Sequence, residues 1–308
     1  MNPFLLVLWW FAQTDVPVIA RTDVTLVRVP VSVRDENGAF RTDLAAHDFE
    51  VFEDGIPQEL RAVTRAADLP LTIAVAIDRS GSQTTFGRRH RQAAGEFLSA
   101  VLREGDRGMV VAFNARTRVL ADLTGSRAEL VSALDMGARE INQRAELTAP
   151  RRRSVGTGYH DAIHALARQR FQAVTGRKAI LVFTDGNDNA SRHSLVEAIE
   201  AAQSADVLVF HLGFVSKLSW LNRLGEKAMT RISRETGGRY FAARRLDNIQ
   251  AAYREMEEEL RSLYELAYSP RRSPDGTVRR LEVRVKRPGW RVVHRPSYRA
   301  AETISNPK

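Results

Sequence analysis

The spacing of hydrophobic positions changes character twice along the chain. In DVTLVRVPVSVRDENGAF (23–40) apolar and polar residues alternate through Val24, Leu26, Val29, Val31 and Val33, the period of a half-buried β-strand, and Asn37-Gly38 supplies a turn. FEVFEDGIPQEL (49–60) repeats the pattern with a turn at Asp54-Gly55. After Pro70 the alternation stops. LTIAVAID (71–78) is apolar almost throughout, as a strand buried on both faces must be. A helix is predicted over 84–103, with Phe97, Leu98, Val101 and Leu102 on one side. Strands follow at 108–114 and 117–123, then a helix at 126–134 whose Ser126 and Glu129 form a capping box. Helices at 158–170, 194–205, 226–238 and 246–264 then alternate with strands at 178–186, 206–214 and 239–243. Beyond Tyr264 the two-residue period returns, at 264–270, 279–287 and 290–298, with Asp275-Gly276 turning between the first two.

Strands alternating with helices build a mostly parallel sheet covered on both faces. The expected fold class is therefore α/β, a doubly wound, mostly parallel sheet, inserted between two β arms that pair into a small β-sandwich. The expected division is a leader segment at 1–19, an N-terminal β arm at 20–68, the α/β domain at 70–262, a C-terminal β arm at 264–300 and a tail at 301–308.

Composition narrows the chemistry more than the fold. The 308 residues are 44% hydrophobic and 27% charged, enough for a large core without cross-links. With no cysteine, disulfides and thiolate metal sites are excluded. The net charge of +9 favours anionic partners: acidic proteins, anionic polymers, nucleic acid or a membrane surface. Residues 260–300 hold eleven arginines and lysines against three acids, which reads as solvated strand faces. The apolar run Pro3–Ala12 is too short to span a bilayer, which takes about 20 residues. It fits the core of an export signal removed near Ala12–Gln13, although the usual basic start is missing. The expected location is therefore periplasmic or extracellular, or cytoplasmic if the run is instead a buried strand. No other stretch is long and apolar enough to cross a membrane.

Ligands of open doubly wound sheets bind at the carboxyl ends of the strands, where strand order reverses. Two strands end there in aspartate, AVAID at Asp78 and LVFTD at Asp185, and between them SVGTGYHDAI places Thr157 just before a helix. If the three loops meet, the carboxylates of Asp78 and Asp185 join the hydroxyls of Ser80, Ser82 and Thr157. An all-oxygen set suits a hard divalent cation, and a small set that retains water suits Mg²⁺ better than a Ca²⁺ cage. Such a set leaves the ion short of ligands, and the open position attracts a carboxylate from a partner. Arg79 sits beside this position, where it repels the cation, holds an incoming carboxylate or points away. Gly158 is expected to loosen the Thr157 loop. Arg151, Arg152 and Arg153, just before Thr157, either rim the site and steer acidic ligands or belong to a solvated loop.

At these residues the chain resembles the von Willebrand factor type A domain. DRSGS matches its Asp-x-Ser-x-Ser motif, Thr157 its isolated threonine and TDG its later aspartate. The resemblance covers about 70–262, and with both flanks the whole chain is similar to bacterial proteins related to that domain. It implies a Rossmann-like sheet whose strand order brings the three loops together. It also implies Mg²⁺ or Mn²⁺ at a metal-ion-dependent adhesion site made by Asp78, Ser80, Ser82, Thr157 and Asp185. The implied activity is capture of an Asp or Glu of a partner protein, without catalysis.

Three other readings compete with this one. An aspartyl phosphotransferase would use Asp78 as nucleophile, but its usual second acid two positions on is Ser80 here. A serine hydrolase lacks Gly-x-Ser-x-Gly, and nothing directs His160 towards Ser80. A nucleic-acid or polyanion binder would use the basic tail, with Trp290 and Tyr298 stacking bases, although such spacing more often marks one face of a sheet.

Overall fold

The computed structural model of the chain describes residues 26–79, 87–136, 147–148, 156–213, 220–242 and 246–300. The expected leader at 1–19, Ser80, Ser82, Arg151, Arg152, Arg153 and the tail at 301–308 lie outside them.

The chain opens with β1 (Val27–Arg34), β2 (Phe49–Glu53), β3 (Ile56–Gln58) and β4 (Leu60–Arg65). It continues through β5 (Leu71–Asp78), α1 (Gly87–Val101), β6 (Arg107–Phe113), β7 (Thr117–Thr124), α2 (Arg127–Met136) and α3 (Tyr159–Leu166). Then come β8 (Arg177–Thr184), α4 (Leu195–Ser204), β9 (Leu208–Gly213), α5 (Trp220–Thr236), β10 (Tyr240–Ala242) and α6 (Leu246–Ser262). It closes with β11 (Tyr264–Tyr268), β12 (Val278–Val285), β13 (Arg291–Val293) and β14 (Ser297–Arg299).

The central sheet runs β10-β9-β8-β5-β6-β7, parallel except for the β6–β7 pair. β5 is buried because its alternate side chains enter two different cores. Ile73 and Val75 pack with Leu98 of α1, Leu130 of α2 and Met256 of α6. Ala74 and Ala76 pack with Ile163 of α3, Ala198 of α4 and Ile232 of α5. The chain leaves β5 towards β6 on one side and β8 towards β9 on the other, so strand order reverses between β5 and β8.

The two arms form one sandwich. Its sheets, β13-β1-β11-β4 and β14-β12-β2-β3, each mix strands from both ends of the chain. β1 lies antiparallel to β11 and β13, with Val29 opposite Leu266 and Val33 opposite Val292. Val29, Val31, Phe49, Val51, Leu266 and Val283 fill the space between the sheets. Within this core Glu53 accepts from Arg279 at 2.9 Å and from the hydroxyls of Tyr268 and Tyr298, both at 2.7 Å.

The basic C-terminal segment is therefore only partly a solvated face. Arg279 is 1% exposed in the sandwich core, and Arg295 is 4% exposed at the junction with the α/β unit. Arg295 donates to the carbonyls of Gln203 and Arg28 at 3.1 and 2.7 Å and to Asp206 at 3.2 Å. Arg272, Arg284 and Arg299 pair with Asp54, Glu282 and Glu200. Tyr298 lies in the core, whereas Trp290 is half-buried against it with the guanidinium of Arg41 over its ring at 5.1 Å.

Candidate functional site

Strand pairing brings the first two candidate residues together. Ile77 of β5 is in register with Phe183 of β8, which sets Asp78 beside Thr184 and next to Asp185 at the carboxyl edge of the sheet. Asp78 is 3% exposed and Asp185 7%. The Thr184 hydroxyl donates to Oδ2 of Asp78 at 2.7 Å and accepts from the Gly186 amide at 3.0 Å. Oδ1 of Asp185 accepts from the amide of Asn187 at 3.1 Å. Each carboxylate is thus aimed by an intraprotein bond at one of its oxygens. The backbone amide of exposed Arg79 donates to the carbonyl of Phe113 at 2.8 Å, tying the start of this loop to β6.

Thr157 reaches the same edge through the loop that follows β8. Its amide donates to Oδ1 of Asn189 at 2.8 Å, and its carbonyl accepts from the amides of Asn189 and Ala190, both at 3.1 Å. The Thr157 hydroxyl makes no hydrogen bond among the described residues. Gly156 adopts φ +130°, and a Cβ there would lie 2.6 Å from Oδ1 of Asn189, so only glycine lets the clamp close. Gly158 does not loosen the loop. Its amide donates to the carbonyl of Asn114 at 2.7 Å, which pins it to the end of β6.

The first turn of α3 has no side-chain cap of its own, because its N-cap is Gly158. The β8–α4 loop supplies the missing acceptors. Oδ2 of Asp188 accepts from the His160 amide at 2.8 Å, and Oγ of Ser191 accepts from the Asp161 amide at 2.9 Å. Asp161 returns the bond by accepting from the amides of Arg192 and His193 at 3.0 and 2.9 Å. His160 points its Nδ1 at Asp188, 3.4 Å away, and burial pushes its pKa down.

Beneath this layer Tyr159 and His211 meet at 2.5 Å, and Nδ1 of His211 lies 2.7 Å from Oγ of Ser233. Burial pushes the His211 imidazole down to about 3, so its two nitrogens serve one donor and one acceptor role between two hydroxyls. From the other side, α5 presses against the aspartate turn. Gly186 has φ +77°, and a Cβ on Gly225 would meet the Asp185 carbonyl oxygen at 2.2 Å.

The structure thus gathers Asp78, Asp185 and Thr157 at one edge. Sequence reasoning missed Thr184, Asn189, Asp188, Ser191 and Gly225, which aim or hold them. The Asn/Asp-rich stretch GNDNAS after Asp185 was the one available signal, since such residues bond neighbouring amides readily. Among the described residues no group of three or more His, Cys, Asp or Glu could hold a metal ion. The donors placed at this edge are two carboxylates and a hydroxyl that makes no hydrogen bond among the described residues, an all-oxygen chemistry that fits a hard cation completed by further oxygens and water. Among the described residues no helix is long and apolar enough to cross a membrane.

Residues 72–255 match the von Willebrand factor type A domain, and the chain belongs to that family. Solved structures similar to the chain include the following three. An aerotolerance-related membrane protein from Bacteroides fragilis is 20% identical over 62% of this chain and 98% of that one, with a TM-score of 0.45. A von Willebrand factor type A protein from Catenulispora acidiphila is 16% identical over 92% of this chain and 76% of that one, with a TM-score of 0.46. Proximal thread matrix protein 1 from the mussel byssus, solved with a zinc-occupied MIDAS motif, is 14% identical over 68% of this chain and 50% of that one, with a TM-score of 0.49. No curated protein matches.

Proposed function

We propose that the protein is a non-enzymatic interaction or adhesion module in which Asp78, Ser80, Ser82, Thr157 and Asp185 hold one Mg²⁺ or Mn²⁺. The bound ion would supply an open coordination position for an Asp or Glu of a partner protein. The observation that carries this reading is that Asp78 and Asp185 stand at the carboxyl ends of the neighbouring strands β5 and β8, at the strand-order reversal, with Thr157, whose hydroxyl makes no hydrogen bond among the described residues, on a loop clamped by Asn189. Each protein donor is an oxygen, and the carboxylates of Asp78 and Asp185 and the backbone of Thr157 are held by hydrogen bonds before an ion arrives, which lowers the ordering cost of binding. Arg79, Arg151, Arg152 and Arg153 belong to the proposed rim, where they would attract acidic ligands. An exported location is part of the proposal and rests on the apolar run of residues 3–12.

The test is calorimetric titration of Mg²⁺ and Mn²⁺ into the chelator-stripped full chain, beside Asp78→Ala. We expect saturable binding by the wild type and none by the variant, with superimposable circular-dichroism spectra. Equal binding by the folded variant would refute the site.

A further inference from the structure

α5 turns two faces in opposite directions. Gly225, Met229, Ile232, Ser233 and Thr236 are buried, at the spacing of a helix face packed on the sheet. The opposite face carries Arg223, Lys227, Thr230, Arg231 and Arg234, all exposed, with Glu226 the one acid among them. Together these six line a groove of about 400 Å³. Arg223, Lys227 and Arg231 make no ion pair among the described residues, whereas Arg234 pairs with Glu235 at 2.9 Å. The arginines of the C-terminal arm are largely used in pairing within the fold; among the described residues Arg223, Lys227 and Arg231 are not.

The stripe has a fixed relation to the candidate site. α5 follows β9, so its N-terminal end lies at the carboxyl edge of the sheet, and Gly225 sits against the backbone of Asp185 and Gly186. Arg223 is two residues from that contact. The cations run from there down the flank for roughly 16 Å at 1.5 Å per residue. An extended peptide covers that length in about five residues.

The geometry points to α5 as a second docking surface, for an acidic peptide segment of the partner that continues for about five residues beyond the carboxylate held at the site. This deepens the proposed function and rests on it. Charge complementarity selects an anion. Glu226 sits inside the groove, where it opposes an unbroken row of phosphates or sulfates but tolerates a neutral or basic residue in a peptide. Among the described residues the groove lining contains no aromatic ring on which a base could stack.

The experiment uses the full chain and two fluorescein-labelled peptides, Gly-Asp-Gly followed by Glu-Gln-Glu-Gln-Glu, in which neutral residues interrupt the acids as Glu226 requires, and Gly-Asp-Gly followed by five Gln. Binding is read by anisotropy in Mg²⁺ and in EDTA, for the wild type, for Asp78→Ala and for the triple variant Arg223→Gln, Lys227→Gln, Arg231→Gln. We expect the Glu peptide to bind the wild type about tenfold more tightly than the Gln peptide, the scale of several exposed pairs acting together. The triple variant should lose that preference and keep Mg²⁺-dependent binding of the Gln peptide. An unchanged preference in the triple variant, or no binding of either peptide by the wild type, overturns the inference. So does equal competition by an oligothymidylate of matched charge. Mg²⁺-independent binding of the Gln peptide, unaffected by Asp78→Ala, would refute the metal reading alone, while the preference still reports on α5.

Discussion

The hydroxyl of Thr184 donates to Oδ2 of Asp78 at 2.7 Å, joining the last residues of two strands that are neighbours in the sheet and 106 positions apart in the chain. The Thr184 hydroxyl oxygen also accepts from the Gly186 amide. One buried hydroxyl therefore orients the first candidate carboxylate and shapes the turn that carries the second.

Thr184→Val keeps the shape of the side chain and removes both bonds. It leaves the Gly186 amide without its acceptor, and a loss of about 1–3 kcal/mol of stability follows. Urea denaturation measures it. Mg²⁺ affinity should fall in the same variant, since Asp78 loses the bond that aims it.

Gly225→Ala sets two effects against each other. Alanine is the better helix former by about 1 kcal/mol. Its methyl would also meet the Asp185 carbonyl oxygen at 2.2 Å, a backbone atom that can move only with its turn. The clash should win, giving a lower melting temperature and weaker Mg²⁺ binding. A rise in melting temperature would show that the contact between α5 and the turn is compliant.

His211 makes stability fall in acid. Its folded pKa is lowered, by burial first, to about 3, against about 6.5 when unfolded. The unfolded chain therefore binds the extra proton, and the stability contributed by the neutral ring is complete above pH 6.5 and lost as pH falls towards 3. The loss is about 1.4 kcal/mol per pH unit within that window. His160, His164 and His294 are shifted down as well and act in the same direction. Melting curves from pH 7.5 to 5 should show the fall, and His211→Gln should flatten it.

Glu53→Gln tests the sandwich core. The carboxylate accepts from Arg279 and from two tyrosine hydroxyls, and burial raises the pKa of both tyrosines, Tyr298 to about 12. Neutralising it leaves the buried guanidinium with fewer compensating charges, for a loss of about 3 kcal/mol. Chemical denaturation followed by tyrosine fluorescence reads it. An unchanged midpoint would mean that Arg279 is satisfied by Asp275 and the carbonyls of Arg272 and Ser273, which it also contacts.

Hydrophobic period alone separated the arms from the α/β unit. The spacing of Val29, Val31 and Val33 differs from the unbroken run of β5, because a strand with one solvated face cannot read like one covered on both. Asp78, Thr157 and Asp185 were legible for a related reason: a polar residue ending a buried strand, or standing just before a helix, faces the carboxyl edge of the sheet. What holds those residues was not legible. Asn189 clamps Thr157 from 32 positions away and Thr184 reaches 106 positions to Asp78, and no local pattern encodes a bond between residues so far apart. The arginines show the same division. Sequence counted the charges of Arg279, Arg295, Arg223 and Lys227 alike. Only packing decided that the first two are buried in ion pairs while the others face outward, because burial depends on which surfaces meet rather than on which residues are present.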